Sequence, residues 1–168
     1  LNSMNPYAGF WRRAFAMSVD WMILSTIAVF LFITGAVALN LSWLQGGLAW
    51  PEDIFASVST FMLLYALALL CMNCFYFTYF HGLTGQTPGK MLFRVRVVCQ
   101  DGTPVTPGIA FLRWVGYHFS SIFLLGFLWV AVDPRKQGWH DKIAGTVVVV
   151  GERRESAQMA LPFGPYTG

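Results

Sequence analysis

Residues 20–39 read DWMILSTIAVFLFITGAVAL: an aspartate, then a run from Trp21 to Leu39 without one charge. A bilayer-spanning helix needs about 20 apolar residues, each adding about 1.5 Å. The run meets that length, and it extends back through Ala14–Asp20 as one long helix whose first turns lie in the membrane interface. Trp11 and Trp21 are placed to sit at the headgroup level. An ionisable residue inside such a run is costly, so Asp20 is expected to have a partner or to mark a pathway.

Working outward, Asn40–Asp53 reads as a connector, with Gly46-Gly47, Pro51 and the interface anchors Trp43 and Trp50, and with no Lys or Arg. A second uncharged run, Ile54–Phe80, is long enough to span with tilt and ends in the aromatic belt Phe75–Phe80. The stretch 81–107 is polar and basic. Within it Phe93–Cys99 partly alternates and then meets Asp101-Gly102, the pattern of a short strand and a turn. A third apolar segment, Ile109–Val132, contains Arg113 and His118. Its uncharged stretch, Phe119–Val132, is short for a span and suits a re-entrant or interfacial piece. Thr146–Val150 is β-branched and bounded by glycine, again a strand. The expected fold is therefore an all-α membrane protein with two transmembrane helices, a third membrane-embedded segment that returns or spans, and a minor cytoplasmic β pair. Residues 7–150 form the membrane domain and 151–168 a disordered tail.

Composition agrees. Of 168 residues, 56% are hydrophobic and 11% charged, and mean hydropathy is +0.55. Soluble domains carry about 25% charged residues. A net charge of +3 is too small to argue for nucleic acid. Leu1-Asn2-Ser3 precede Met4, which reads as the natural start, and the first run lacks the small-residue cleavage site of a signal peptide. Cys71 and Cys74 form a C-x-x-C inside an apolar helical run, without the second pair or strand-to-helix turn that metal or redox chemistry uses. They read as packed thiols, as does Cys99.

Charge sets the topology. The amino terminus, the 81–107 loop and the tail hold every Lys and Arg except Arg113, so all three are expected on the cytoplasmic side. A simple third crossing would put Arg135, Lys136, Lys142, Arg153 and Arg154 outside. The segment 109–132 either returns to the cytoplasmic face or crosses against the rule. The two short strands favour return, because they can pair only on one side.

Three features form a pattern: Arg12-Arg13 ahead of Asp20, Gly85-Gln86-Thr87-Pro88-Gly89-Lys90 at mid-chain, and His140-Asp141-Lys142-Ile143-Ala144-Gly145-Thr146 near the end. The pattern resembles the RDD family of small multi-pass membrane proteins, named for one arginine and two aspartates. The matching positions are Arg13, Asp20 and Asp141, and the resemblance spans roughly residues 7 to 150. It implies a protein of the bacterial cytoplasmic membrane. Roles proposed for the family include cation/proton exchange and service as a membrane-embedded partner module.

The polar residues themselves admit two readings. Arg13 and Asp20 lie on one helix face about 10 Å apart in rise, too far for an unstretched bond, and Arg113 and Asn73 are at similar depth. A structural ion pair between Asp20 and Arg13 or Arg113 is the favoured expectation. A cation or proton site on Asp20 is the alternative. The Gly85–Lys90 stretch is not a phosphate loop, since Thr84 stands where the first glycine belongs and Met91 where Ser or Thr belongs. It reads as a corner in which Gly85 and Gly89 allow unusual dihedrals, Thr87 sits in the turn, and Lys90 reaches lipid phosphate or caps a helix. His140-Asp141 lacks the further histidines and carboxylates of a metal hydrolase. Asp141 is expected to accept backbone hydrogen bonds or to pair with Arg12, Arg13 or Lys90, with Asp133 as a second acidic candidate. The expectation is a non-enzymatic protein with no metal or cofactor. Its partners would be a bilayer with anionic headgroups and copies of itself or other membrane proteins.

Overall fold

The computed structural model describes residues 7–46, 51–121 and 125–151. The elements, in order, are α1 (Phe10–Gly46), α2 (Pro51–Thr84), α3 (Pro88–Leu92), β1 (Val95–Cys99), α4 (Pro107–Ser121), α5 (Leu125–Val132), α6 (Trp139–Ile143) and β2 (Thr146–Val150). Two compact units emerge. One joins Leu1–Asp20 to Tyr76–Gly168, and the other is Trp21–Phe75. The proposed disordered tail 151–168 lies outside the described residues beyond Gly151, as do Met4, Gly47 and Trp50.

Within Trp21–Phe75 the chain is apolar and outward-facing. Phe30, Phe55 and Leu63 are each more than 60% exposed. A core helix of a soluble protein would bury such residues; a helix facing lipid leaves them on its surface. Several polar side chains in these runs are satisfied within their own helix. Thr26 Oγ1 donates to Met22 O at 2.9 Å, Thr34 Oγ1 to Phe30 O at 2.9 Å and Asn40 Nδ2 to Ala36 O at 2.8 Å. That pattern lets Ser, Thr and Asn sit in hydrocarbon without an orphaned donor. It also carries α1 through Asn40 to Gly46, so the connector is much shorter than the expected 40–53. Pro51 opens α2, where a missing N–H costs nothing. The two runs touch through Phe32, Phe61 and Tyr65, and Tyr65 Oη donates to Ala28 O at 3.1 Å.

The other unit is built on the β pair. β1 and β2 are antiparallel with Val97 opposite Val148, as the strand readings expected. Tyr7 bridges to Val149, and Ala8 N donates to Val148 O at 2.8 Å, so the residues preceding α1 extend the sheet. Both sheet faces are covered. Val95, Val97, Cys99 and Val148 pack with Ala8, Ala16, Val105 and Ala110 on one side, and Val98, Val147 and Val149 pack with Tyr7 on the other. The third apolar segment is not one helix. It divides into α4 of 15 residues and α5 of 8, each below the length a span needs. The residues given a turn reading at 88–90 and 140–143 instead form short helices, α3 and α6.

The order helix, helix, short helix, strand therefore occurs twice, and the details repeat with it. Gln86 Nε2 donates to Val95 O at 3.0 Å, and Gln137 Nε2 donates to Thr146 O at 2.7 Å. Gly85 and Lys136 both have positive φ (69° and 52°), as do Arg94 and Gly145 (52° and 62°). All these pairs share one interval along the chain, and so do Val97 and Val148, the central rungs of the ladder. An antiparallel ladder has a local two-fold axis at such a rung. That axis relates the corner α3–β1 to the corner α6–β2.

Candidate functional site

The signature residues converge in the unit that contains the sheet. Asp20 emerges from α1 fully buried, at 1% exposure. Its Oδ1 accepts from Tyr76 Oη at 2.8 Å and from Gly89 N at 2.8 Å, while Oδ2 accepts from Thr87 Oγ1 at 2.5 Å. Thr87 is the N-cap of α3, and its hydroxyl oxygen accepts from Lys90 N at 3.4 Å. The aspartate thus takes hold of the start of α3 and the end of α2. Gly89 is required there. A Cβ would collide with the Ala16 carbonyl oxygen of α1 and come within 2.9 Å of Asp20 Cγ.

The expected pairing of Asp20 with Arg13 or Arg113 does not occur; both arginines go to Asp141. Arg13 Nη1 donates to Asp141 Oδ2 at 2.6 Å, and Arg113 Nη1 donates to Asp141 Oδ1. The reason is reach. Arg13 lies nearly two turns before Asp20, and its Nε is engaged by Ala8 O at 3.0 Å, which turns the guanidinium toward α6. Gly138 N is the third donor to the carboxylate, reaching Asp141 Oδ2 at 3.0 Å, so Asp141 ties back to the residue that starts its own helix, α6. Both readings of Asp141 therefore apply, backbone acceptor and partner of Arg13, while Arg113 was not among its expected partners. Arg113 Nη1 also donates to Thr146 Oγ1 at 2.5 Å, at the first residue of β2. Burial alone would raise the Asp141 carboxyl. Arg113, His140 and Arg13 outweigh it and hold the group well below the usual carboxylate range. Asp133 plays a local part only, with Lys142 Nζ 2.6 Å from its Oδ1 and two backbone N–H groups on Oδ2.

Lys90 departs from expectation. It is 7% exposed and does not point to solvent or headgroups. Its Nζ lies 2.5 Å from His81 Nε2. His81 Nδ1 is 2.8 Å from Phe77 O, which can only accept, so Nδ1 carries the proton and Nε2 accepts from Lys90. Burial is the main effect lowering the Lys90 ammonium. Asn73 belongs to the Trp21–Phe75 unit, and its amide donates to Leu69 O at 3.0 Å in its own helix.

Sequence reasoning missed Tyr76, His81, Ser120 and Tyr117. Ser120 Oγ accepts from His140 N at 3.2 Å, the counterpart of Gly89 N on Asp20. Tyr117 lies against Arg113 and the ring of His140. These residues sit in apolar or aromatic runs where no local pattern marks them. The equal spacing of Arg13 to Arg113, Ala16 to Gly116 and Asp20 to Ser120 was the available signal.

The arrangement is the product of Arg13, Asp20 and Asp141 with the Gly85–Lys90 corner, and a model of the RDD family matches residues 7–145. The chain belongs to the RDD family. It is 33% identical over 147 residues to the uncharacterized membrane protein YteJ of Bacillus subtilis (strain 168), an alignment covering 86% of this chain and 82% of that protein. It is 30% identical over 154 residues to the uncharacterized protein YxaI of the same organism (87% and 99% covered) and 31% identical over 153 residues to YckC (86% and 87%). No solved structure matches the chain. It is thus an RDD family membrane protein with two long apolar helices, the first of which carries both Arg13 and Asp20. Among the described residues no group of His, Cys, Asp or Glu is placed to hold a metal ion.

Proposed function

We propose that this RDD family member is a non-enzymatic assembly module of the cytoplasmic membrane, in which the signature charges fix the geometry of a paired-corner unit. One observation carries the reading: both oxygens of each signature aspartate are engaged, by three donors in all, one of them a backbone N–H. A carboxylate that must bind and release a cation keeps an oxygen open. Tyr76 and Thr87 could turn a lone pair toward a cation, but the Gly89 amide cannot. Arg13 and Arg113 likewise neutralise Asp141 permanently. Such buried pairs add little net stability but specify one arrangement.

The module is proposed to present both termini and the 81–107 stretch to the cytoplasm. The absence of Lys and Arg from residues 40–53 supports that side assignment. The β1–β2 pairing and the Tyr7 bridge support a common face for the start of α1, the end of α2 and the chain after α5. On that account the α4–α5 segment enters the interface and returns. The partners proposed are copies of this chain or other membrane proteins, which the exposed apolar faces of α1 and α2 would meet in lipid.

The competing reading, cation/proton exchange through Asp20, makes an opposite prediction. In proteoliposomes the parent protein is expected to give no cation-dependent proton flux above empty liposomes. Asp20→Asn is expected to lower the melting temperature in detergent, since hydrogen bonds to a charged group contribute about 1.5–3 kcal/mol each. Flux in the parent that vanishes in a folded Asp20→Asn protein would establish transport and overturn the assembly reading.

A further inference from the structure

A surface helix of a soluble protein turns its apolar stripe to the core and its charges outward. The two corner helices do the reverse. α3 buries Gly89 and Lys90 and exposes Met91 and Leu92, the latter at 69%. α6 buries His140 and Asp141 and exposes Trp139 and Ile143, the latter at 46%. The repeat gives this observation twice. The interval that carries Gln86 to Gln137 also carries Lys90 to Asp141 and Leu92 to Ile143. The inward position holds opposite charges in the two corners, yet the outward position holds a large aliphatic side chain in both. A polarity kept while the charge changes sign reflects the surroundings outside the corners rather than the ion pairs inside them.

The leading helices carry the pattern further. Trp11 of α1 and Phe111 of α4 are counterparts at the interval that relates Arg13 to Arg113, and both rings are exposed, Trp11 at 70%. In the first half the outward rings form a continuous surface. Trp11 stacks on Phe15 and Phe15 on Phe93, both at 6.1 Å between centroids, which joins the outer face of α1 to the end of α3. In the second half Phe111 lies 5.7 Å from Trp114. The charged residue that α6 exposes, Lys142, is held back. Its Nζ is 2.6 Å from Asp133 Oδ1 and lies over the Trp129 ring, 5.5 Å from its centroid. A paired ammonium over an indole is the arrangement of a headgroup boundary.

We propose that α3 and α6 are a matched pair of interfacial helices in the cytoplasmic leaflet, with Leu92 and Ile143 in lipid at equal depth and the local two-fold axis along the membrane normal. Such helices sink their apolar face about 5–10 Å into the boundary between headgroups and acyl chains. An axis in the membrane plane would send the corners to opposite leaflets, which the β1–β2 pairing forbids. The occupant is lipid rather than a second protein, because the two apolar faces lie on opposite sides of the axis. One continuous medium meets both, whereas a protein partner would have to dock twice. The sheet unit thus rests within the bilayer surface, and the buried signature charges lie behind a lipid-facing layer. This placement extends the proposed siting of both corners on one membrane face, and it stands whether the protein assembles or transports.

The test is spin labelling of the full chain in phosphatidylglycerol vesicles. Leu92→Cys, Ile143→Cys and Gln100→Cys are labelled one at a time in a background without Cys71, Cys74 and Cys99. All three positions are exposed, so a label fits without repacking. Oxygen, which concentrates in lipid, should relax the labels at 92 and 143 several-fold more than a water-soluble nickel chelate does, and equally at the two positions. At 100 the chelate should dominate. Dominance of the chelate at 92 or 143 would place that helix in water, and protection from both reagents would place a second copy or another protein over it; either result overturns the lipid surface. Unequal depths at 92 and 143 would overturn the axis along the normal. The side is read separately, from reduction by ascorbate of labels at 100 and at Arg135→Cys in sealed vesicles. Reduction from opposite sides would show that the one-face placement has failed, and the shared leaflet with it, whereas lipid contact is read from the collisions alone.

Discussion

Substituting Asp141 by alanine removes the acceptor of two buried guanidinium groups at once. Arg113 is 1% exposed, and the Arg13 side chain is 11% exposed. Breaking one partner out of a buried pair costs about 3–5 kcal/mol, because the remaining charge stays in a poor solvent. Here two like charges remain, so the upper part of that range applies. For chains of this size each kcal/mol moves the melting temperature by about 2–4 °C, so about 4–5 kcal/mol gives a fall of about 8–20 °C. Tryptophan fluorescence followed on heating in detergent reads the shift, with Arg113→Ala and the double variant measured alongside. Arg113→Ala leaves Asp141 with Arg13, so it should cost less than Asp141→Ala. The double variant should cost less than the sum by about 0.5–3 kcal/mol, since its second change removes an already unpaired charge. Strictly additive losses would mean that the two residues do not act as a pair, and the reasoning would fail.

Other outcomes follow from the same contacts. Gly89→Ala should destabilise by about 1–3 kcal/mol because its Cβ has no room against the Ala16 carbonyl, whereas Gly108→Ala, with nothing within 4 Å, should be neutral or stabilising in the same melts. Tyr76→Phe should cost about 1.5–3 kcal/mol through the lost donor to Asp20, and the loss should disappear in an Asp20→Ala background. Burial, helped by Arg113, Arg13 and Lys90 and opposed by Asp141, lowers His140 to about 3. Its folded value thus lies below the unfolded value of about 6.5, so its contribution is complete above that pH and declines as pH falls toward 3. The slope is about 1.4 kcal/mol per pH unit. Melts at pH 7, 6 and 5 should show the decline, and His140→Gln should flatten it.

What could be read from the sequence was what periodicity and charge record locally. The runs at 21–39 and 54–80 stand out because lipid-facing helices need no alternation, and both strands stand out because β-branched residues bounded by glycine have few alternatives. Asp20 is conspicuous as a charge flanked by apolar residues, and Arg13 and Asp141 stand out through the Arg12-Arg13 pair and the His140–Thr146 stretch. Their partners were not legible. Whether Arg13 serves Asp20 or Asp141 depends on where α6 lies, which is a tertiary fact, and the local geometry of α1 pointed to the wrong acceptor. Lys90 reads as a surface cation until His81, nine residues earlier, is seen to sit behind it. The division of 109–132 into α4 and α5 also escapes a hydropathy reading, because Ile122-Phe123-Leu124 continue the apolar run across the junction with no turn residue. The repeat is recorded only in spacing, with Gln86 and Gln137 the one identical pair in the two corners that makes the same bond.

The account holds that the signature charges lock two helix–strand corners together on a single face of the membrane. Single cysteines at Gln100, just after β1, and at Arg135, just before α6, test this most directly in a background without Cys71, Cys74 and Cys99. Both positions are exposed. In sealed vesicles of known orientation, an impermeant maleimide is predicted to label both from the cytoplasmic side, while a cysteine at Gly46 is labelled from the other. Labelling of positions 100 and 135 from opposite sides would make the β1–β2 pairing impossible in the membrane and would contradict the account.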